Sequence, residues 1–208
     1  AYRPVHETEC CIGNVHRYFP NYVARMWLKD ASGHPVAALY GPSSVTYDLG
    51  DGLSVCIEEK TAYPFEEKID FEFTFYKDGR RSDASHHMNF TYRIPLWCKT
   101  SQECGFHTVS KEWKSGEIFS VQLPMEVELV ENPVEGLCVQ RGPVVYSYAI
   151  PMDCVEDTVV YDYLAGKVSA NPDFKCWNMT PSGKWNYALV EDRLDEVKVE
   201  FTGSTGYP

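Results

Sequence analysis

Residues 69–75 read IDFEFTF, and this stretch decides the fold. Ile69, Phe71, Phe73 and Phe75 alternate with Asp70, Glu72 and Thr74. Side chains alternate across a strand, so a two-residue period gathers four large apolar groups on one face and leaves the polar groups on the other. The stretch therefore predicts a strand with one buried face. Lys77-Asp78-Gly79-Arg80 follows with turn chemistry. Upstream, Leu53, Val55 and Ile57 alternate with Ser54, Cys56 and Glu58, and residues 36–40 form a short apolar run. Downstream, residues 89–94 read as a strand stopped by Pro95. Residues 118–123 and 127–130 read as two more, separated by Pro124. Residues 137–150 are long and apolar, broken at Gly142-Pro143. Short strands with Gly and Pro between them, without a βαβ rhythm or internal repeat, predict an antiparallel sandwich.

The two ends read differently. Val15, Phe19, Tyr22, Val23 and Met26 fall on one helical stripe, predicting a helix over residues 14–27. Pro20 interrupts it, which predicts a kink or restart there. Asp30-Ala31-Ser32-Gly33 then closes the segment as a turn. Beyond Asp153 the pattern loosens: residues 158–163, 185–190 and 196–201 read as candidate strands and residues 170–182 as loop. The expectation is a mainly β chain. A helical lead-in covers 1–29, a β-sandwich 30–125, and a second, incomplete β region 126–208.

Composition bounds the function. The chain has 208 residues, 44% hydrophobic and 14% aromatic, enough to bury a core without staples. Its net charge of -11 repels phosphate backbones, which argues against a nucleic-acid partner. No apolar run approaches the roughly 20 residues of a membrane helix, which argues against a membrane partner. These features suit a soluble protein, cytoplasmic or exported, and do not choose between the two. Eight cysteines would suit a secreted disulfide framework, but such chains are short and core-poor. Cys56 and Cys138 lie in apolar runs and read as buried thiols. Cys98 and Cys104 flank a short polar loop and are the candidate disulfide pair.

Cys10 and Cys11 stand side by side, shortly after His6, Glu7 and Glu9. One reading is two structural thiols on a helix lead-in. The other is a thiolate metal site, since Zn²⁺ takes cysteine sulfur and holds it deprotonated as a nucleophile. The usual two-residue spacer is absent, so the pair alone does not decide. His6 is a candidate for lining a sugar site. Arg17, one turn beyond Asn14, reads as a structural clamp. His86-His87 lacks further ligands nearby. Trp97, Trp113, Trp177 and Trp185 read as core or interface anchors, with sugar stacking the alternative.

An ordered series widens the view. Cys10-Cys11-Ile12-Gly13-Asn14-Val15-His16-Arg17 comes first, then Tyr63-Pro64, then Arg93-Ile94-Pro95-Leu96-Trp97. Trp113-Lys114-Ser115-Gly116-Glu117 and Arg141-Gly142-Pro143-Val144-Val145-Tyr146 follow. The series resembles the glycoside hydrolase family 127 group of β-L-arabinofuranosidases from Glu9 to Tyr146, and more loosely through Trp185-Asn186-Tyr187. It departs at Glu117, where the family usually has aspartate. The resemblance implies an (α/α)6 barrel followed by β-sandwich domains, with residues 1–29 the last helical segment of a barrel that this chain lacks. It implies a retaining mechanism, with Cys10 as nucleophile and zinc ligand and Cys11 as zinc ligand. Another cysteine, a ligating glutamate and the acid/base glutamate lie upstream of the pair in the family. Glu7 and Glu9 do not fill those places. The expected parent is therefore a zinc-dependent glycosidase with a carbohydrate substrate, and the isolated chain is expected to be inactive. Cys10 and Cys11 are expected to be exposed or disordered, without a complete metal shell. The alternative is a non-catalytic accessory β-sandwich with a packing or weak carbohydrate-binding role.

Overall fold

A computed structural model describes residues 10–131, 136–157 and 176–188, together with Arg193 and Glu196. The side chains of residues 10–16 and of Cys176 lie outside that description. The chain divides into two compact units, one containing Phe19–Tyr146 and the other Ser147–Arg193. It is mainly β, with one short N-terminal helix.

That helix, α1 (Cys10–Val23), holds Pro20 inside it. The helix runs through Pro20 without a restart, and Ala24 N–H still donates to Pro20 O at 2.9 Å. Only three helical residues follow Pro20, so the proline removes one donor close to an end that frays in any case. The stripe is not buried as its period suggests. Phe19 and Val23 are 68% and 63% exposed, and only Met26, just beyond the helix, enters the core at 5%.

The strands follow in order. They are β1 (Trp27–Lys29), β2 (Pro35–Ala37), β3 (Ser43–Gly50), β4 (Leu53–Thr61), β5 (Lys68–Lys77), β6 (Arg80–Arg81), β7 (His86–Ile94), β8 (Gly105–Trp113) and β9 (Ile118–Gln122). One sheet runs β1-β2-β7-β8; the other runs β3-β4-β5, with β6 and β9 both on the far side of β5. All pairs are antiparallel except β2 with β7. Between the sheets the period of β5 is realised in full. Ile69, Phe71, Phe73 and Phe75 are all fully buried, opposite Thr61, Glu59, Ile57 and Val55 of β4. Phe90 of β7 meets Phe71 and Phe73 edge-on at 5.0 and 5.2 Å. Trp113 stacks on Phe73 at 4.4 Å and donates its indole N–H to Met88 O at 2.9 Å, satisfying its one polar atom in the core.

Two Asp-Gly pairs build the tight hairpins. Asp51-Gly52 and Asp78-Gly79 all have positive φ, as a two-residue turn matching strand twist requires. The hairpins also touch: a Cβ on Gly52 would lie 2.2 Å from Asp78 Oδ1. At Asp30 the predicted turn forms, with Oδ1 accepting from the N–H groups of Ser32 and His34.

After the sandwich come β10 (Val127–Glu131), β11 (Leu137–Arg141) and β12 (Val144–Val145), a small antiparallel sheet in the same unit. The predicted break at Gly142-Pro143 is the turn between β11 and β12. The other unit holds β13 (Met152–Asp157) paired antiparallel with β14 (Cys176–Pro181). Strand β14 corrects the loop expected over 170–182. Residues 185–188 are not strand, and the candidate strand at 158–163 lies outside the described residues, as does nearly all of that at 196–201.

The described cysteines Cys56, Cys98, Cys104, Cys138 and Cys154 are free thiols. Cys98 does not pair with Cys104; it is buried, with Sγ 3.8 Å from Pro124 O, while Cys104 is exposed. Cys56 and Cys138 are half-buried rather than buried. Cys56 sits on the outer face of β4, between the inward Val55 and Ile57.

Candidate functional site

The backbone of Cys10 and Cys11 forms the first turn of α1. The expected exposure and metal coordination of the two sulfurs lie outside the described residues, as do His6, Glu7 and Glu9. Arg17 is exposed on the same helix. Among the described residues, no three His, Cys, Asp or Glu side chains come together as a metal site.

The other landmarks of the series converge on the sandwich. Tyr63 precedes Pro64 through a cis bond and packs edge-on against Tyr40 at 5.8 Å. Tyr40 anchors the motif arginine by its backbone. Arg93 N–H donates to the Tyr40 oxygen at 2.9 Å, and the Tyr40 hydroxyl donates to Arg93 O. Tyr22, in the last turn of α1, donates its hydroxyl to Tyr40 O at 2.8 Å. The helix end, the Tyr63-Pro64 turn and the Arg93 strand are thus tied at one tyrosine. Burial pushes the Tyr63 hydroxyl up to about 12 and that of Tyr40 further still.

Glu59 lies beside this knot and was not singled out by sequence reasoning. It continues the inward face of Val55 and Ile57 and is only 2% exposed. One oxygen accepts from Gly41 N–H at 2.9 Å, and the other accepts from the Ser43 hydroxyl at 3.2 Å. Ser43 Oγ in turn accepts the Trp27 indole N–H at 3.0 Å. Burial raises the Glu59 carboxyl from 4.5 to about 7 against these two bonds. Such a shift often marks a catalytic acid. Here the carboxylate is closed off and internally bonded, so it is a structural group. The available signal was its parity: a glutamate two residues beyond Ile57 falls on the core face.

The remaining motifs are also framework. Trp113 fills the core. Ser115 Oγ accepts from Phe75 N–H at 2.9 Å and donates to Ser82 O at 2.7 Å, pinning the loop after β8 to β5. Glu117 ends that loop; although partial burial works against it, the Lys111 ammonium and the Lys114 N–H hold its carboxyl below the usual range. Aspartate's replacement by glutamate here leaves the turn intact. Arg141 reaches back to Glu67 at 2.8 Å and to Phe65 O at 3.2 Å. Gly142, next to it, has φ +55, and a Cβ there would meet Met125 Sδ at 2.8 Å and Trp97 at 3.3 Å. These contacts tie the β10–β12 sheet to the sandwich and line a cleft of about 30 Å³ with Trp97, Lys99, Glu128 and Gln140.

Of the tryptophans, Trp113 is fully buried and Trp97 packs against the core, as expected of anchors. Trp185 is 65% exposed. His86 and His87 point to opposite faces of β7, bonded to Ser82 at 2.7 Å and Ser110 at 3.3 Å, so they do not act as a pair.

The model of the family described as "Beta-L-arabinofuranosidase, GH127 middle domain" matches residues 36–125, the sandwich just described. Over those residues the chain is similar to a GH127 middle domain. Solved structures agree at the level of fold. The GH127 β-L-arabinofuranosidase Ara127N-Se from Geobacillus stearothermophilus T6 is 19% identical with TM-score 0.53, covering 86% of this chain and 35% of that one. The GH127 β-arabinofuranosidase BT3674 is 19% identical with TM-score 0.53, covering 74% of this chain and 27% of that one. A structure described as a glycoside hydrolase is 22% identical with TM-score 0.53, covering 75% and 27%. The chain thus spans about a third or less of the structures it matches. No curated protein matches it. Within residues 36–125 lie Tyr63, Arg93, Trp97 and Trp113, all serving the fold. Cys10 and Cys11 precede the matched residues.

Proposed function

We propose that this chain is part of a retaining glycoside hydrolase that releases β-L-arabinofuranosyl or related sugars, with Cys10 as its nucleophile. The observation that carries the reading is the GH127 middle-domain match, which follows the Cys10-Cys11 pair in the order of the family's motifs. The two sulfurs are soft donors suited to zinc, and they supply two of the four positions that a tetrahedral site needs. Cys10 and Cys11 would hold the metal, and zinc when bound would stabilise thiolate charge and so improve sulfur as a leaving group. The Cys10 sulfur attacks the anomeric carbon and the glycosidic C–O bond breaks, leaving a thioglycoside on Cys10. Water then displaces the sulfur, giving net retention. By the family resemblance, the proton for the leaving oxygen comes from a glutamate upstream of Cys10.

The test uses the natural polypeptide that contains this chain and an aryl β-L-arabinofuranoside. Turnover should fall at least ~10³-fold in Cys10→Ala, as for loss of a covalent nucleophile, while circular dichroism stays unchanged. Undiminished turnover would remove Cys10 from the mechanism. The 208-residue chain by itself should show none. Retardation of that chain on arabinan or pectin gels would instead favour the accessory, carbohydrate-binding role.

A further inference from the structure

We propose that the cleft between the sandwich and the β10–β12 sheet takes two adjacent hydroxyls of a neutral sugar residue. The sugar class rests on the reading that the chain is part of a glycoside hydrolase. Trp97 and Lys99 reach the cleft from the loop after β7, Glu126 from just before β10, Glu128 from β10 and Gln140 from β11. All belong to one compact unit. Glu128 and Gln140 are cross-strand partners, so their side chains leave the same face of the sheet as neighbours. Gln140 Nε2 donates to Gly142 O at 2.6 Å, which fixes the amide. Its Oε1 accepts no hydrogen bond among the described residues. The Lys99 ammonium donates to Glu128 Oε1. Glu128 Oε2 and the Glu126 carboxylate accept no hydrogen bond among the described residues, and Glu126 lies close enough to act on the Lys99 charge. The Trp97 indole N–H donates to no described residue either, and it is not sealed from water.

Size and chemistry together select the ligand. The cleft of about 30 Å³ has room for about two waters, at roughly 10–15 Å³ each. Two adjacent hydroxyl oxygens of one sugar ring fill the same room, with the ring itself at the open mouth. A hydroxyl both donates and accepts. Gln140, Glu126 and Glu128 offer acceptors, and Lys99 and Trp97 offer donors, so each sugar hydroxyl finds both kinds of partner. Other ligand classes fit less well. Two carboxylates against one ammonium leave the cleft net negative, which disfavours uronic acids and phosphates. The ammonium already sits on Glu128, which disfavours a metal cation. An apolar ligand would strip water from these polar groups and pair none of them. One aromatic wall with a few convergent polar groups is the usual composition of a small-molecule site.

Lysine acetylation of the natural polypeptide, read by peptide mass spectrometry, tests this without a substitution. The Lys99 side chain is 66% exposed, so a succinimidyl ester reaches it. Excess arabinan, a neutral polymer, should slow acetylation of Lys99 roughly fivefold, as about four-fifths occupancy requires. The exposed Lys114, outside the cleft, should react as before. Polygalacturonate should give no protection. Equal Lys99 rates with and without arabinan, or equal protection by polygalacturonate, would overturn the site. Gln140→Leu keeps the size of the side chain and removes its acceptor, so it should abolish the protection. Protection that survives this change would place the sugar elsewhere and also overturn the site. The outcomes separate from those of the functional reading. Turnover that depends on Cys10 without protection of Lys99 sinks the cleft alone; protection without turnover sinks the hydrolase alone.

Discussion

Replacing Glu59 by glutamine should make the sandwich more stable at pH 8 and leave it nearly unchanged at pH 4. The carboxyl is 2% exposed and titrates near 7 in the folded chain against an ordinary 4.5. A carboxyl raised on folding contributes stability that is fully present below 4.5 and is lost as pH rises through about 7. The unfolded chain releases its proton first and gains from doing so. At about 1.4 kcal/mol per tenfold in proton affinity, the loss comes to roughly 3 kcal/mol. Glutamine mimics the protonated form. Its carbonyl can keep the bond from Gly41 N–H, and its amide can donate to Ser43 Oγ. Urea unfolding followed by tryptophan fluorescence, at steps from pH 4 to 8, gives both stabilities. The difference between Glu59→Gln and the parent should grow by roughly 3 kcal/mol across that range. A difference that stays flat with pH would refute the assignment of a buried carboxyl whose raised pKa comes from desolvation.

Three further outcomes follow from the packing. Trp113→Ala should cost about 3–5 kcal/mol in urea unfolding, because it opens the core between Phe73 and Phe90; a loss under about 1 kcal/mol would contradict the fully buried position. Gly142→Ala should cost roughly 1–3 kcal/mol, since it combines positive φ with a Cβ pressed on Met125 and Trp97. Native thiol titration should label Cys104 and Cys154 quickly and Cys98 only on unfolding; fast labelling of Cys98 would place it at the surface.

Much of the sandwich was legible because burial there is one-sided. The period of Ile69 to Phe75 was enough to place β5, and Val55 and Ile57 were enough to place β4. Strand β8 was missed because Trp113 alone is buried in it, whereas β3 was missed although Val45, Tyr47 and Leu49 alternate and pack on the core. Strand β14 was missed because it pairs only with β13, and both lie open, so no burial imposes a pattern on it. The candidate site was legible in another way. Cys10 and Cys11 are recognised by the order of motifs, and their sulfurs lie outside the described side chains.

By itself, the sequence determined the period of the strands, the Asp78-Gly79 turn, the break at Gly142-Pro143 and the motif order that resembles the GH127 family. These are local, written within a few residues of one another, so local chemistry carries them. Tertiary structure decided what the motif residues do. Tyr63, Arg93 and Tyr22 come from segments far apart in the chain, and only folding brings them to Tyr40. The same holds for Arg141 on Glu67, 74 residues away. It also decided that Glu59 is buried, because that depends on the opposing sheet closing over β4. Sequence recognises the arginine of the Arg-Ile-Pro motif; only the packed structure shows its backbone held by Tyr40 from both the N–H and the carbonyl side.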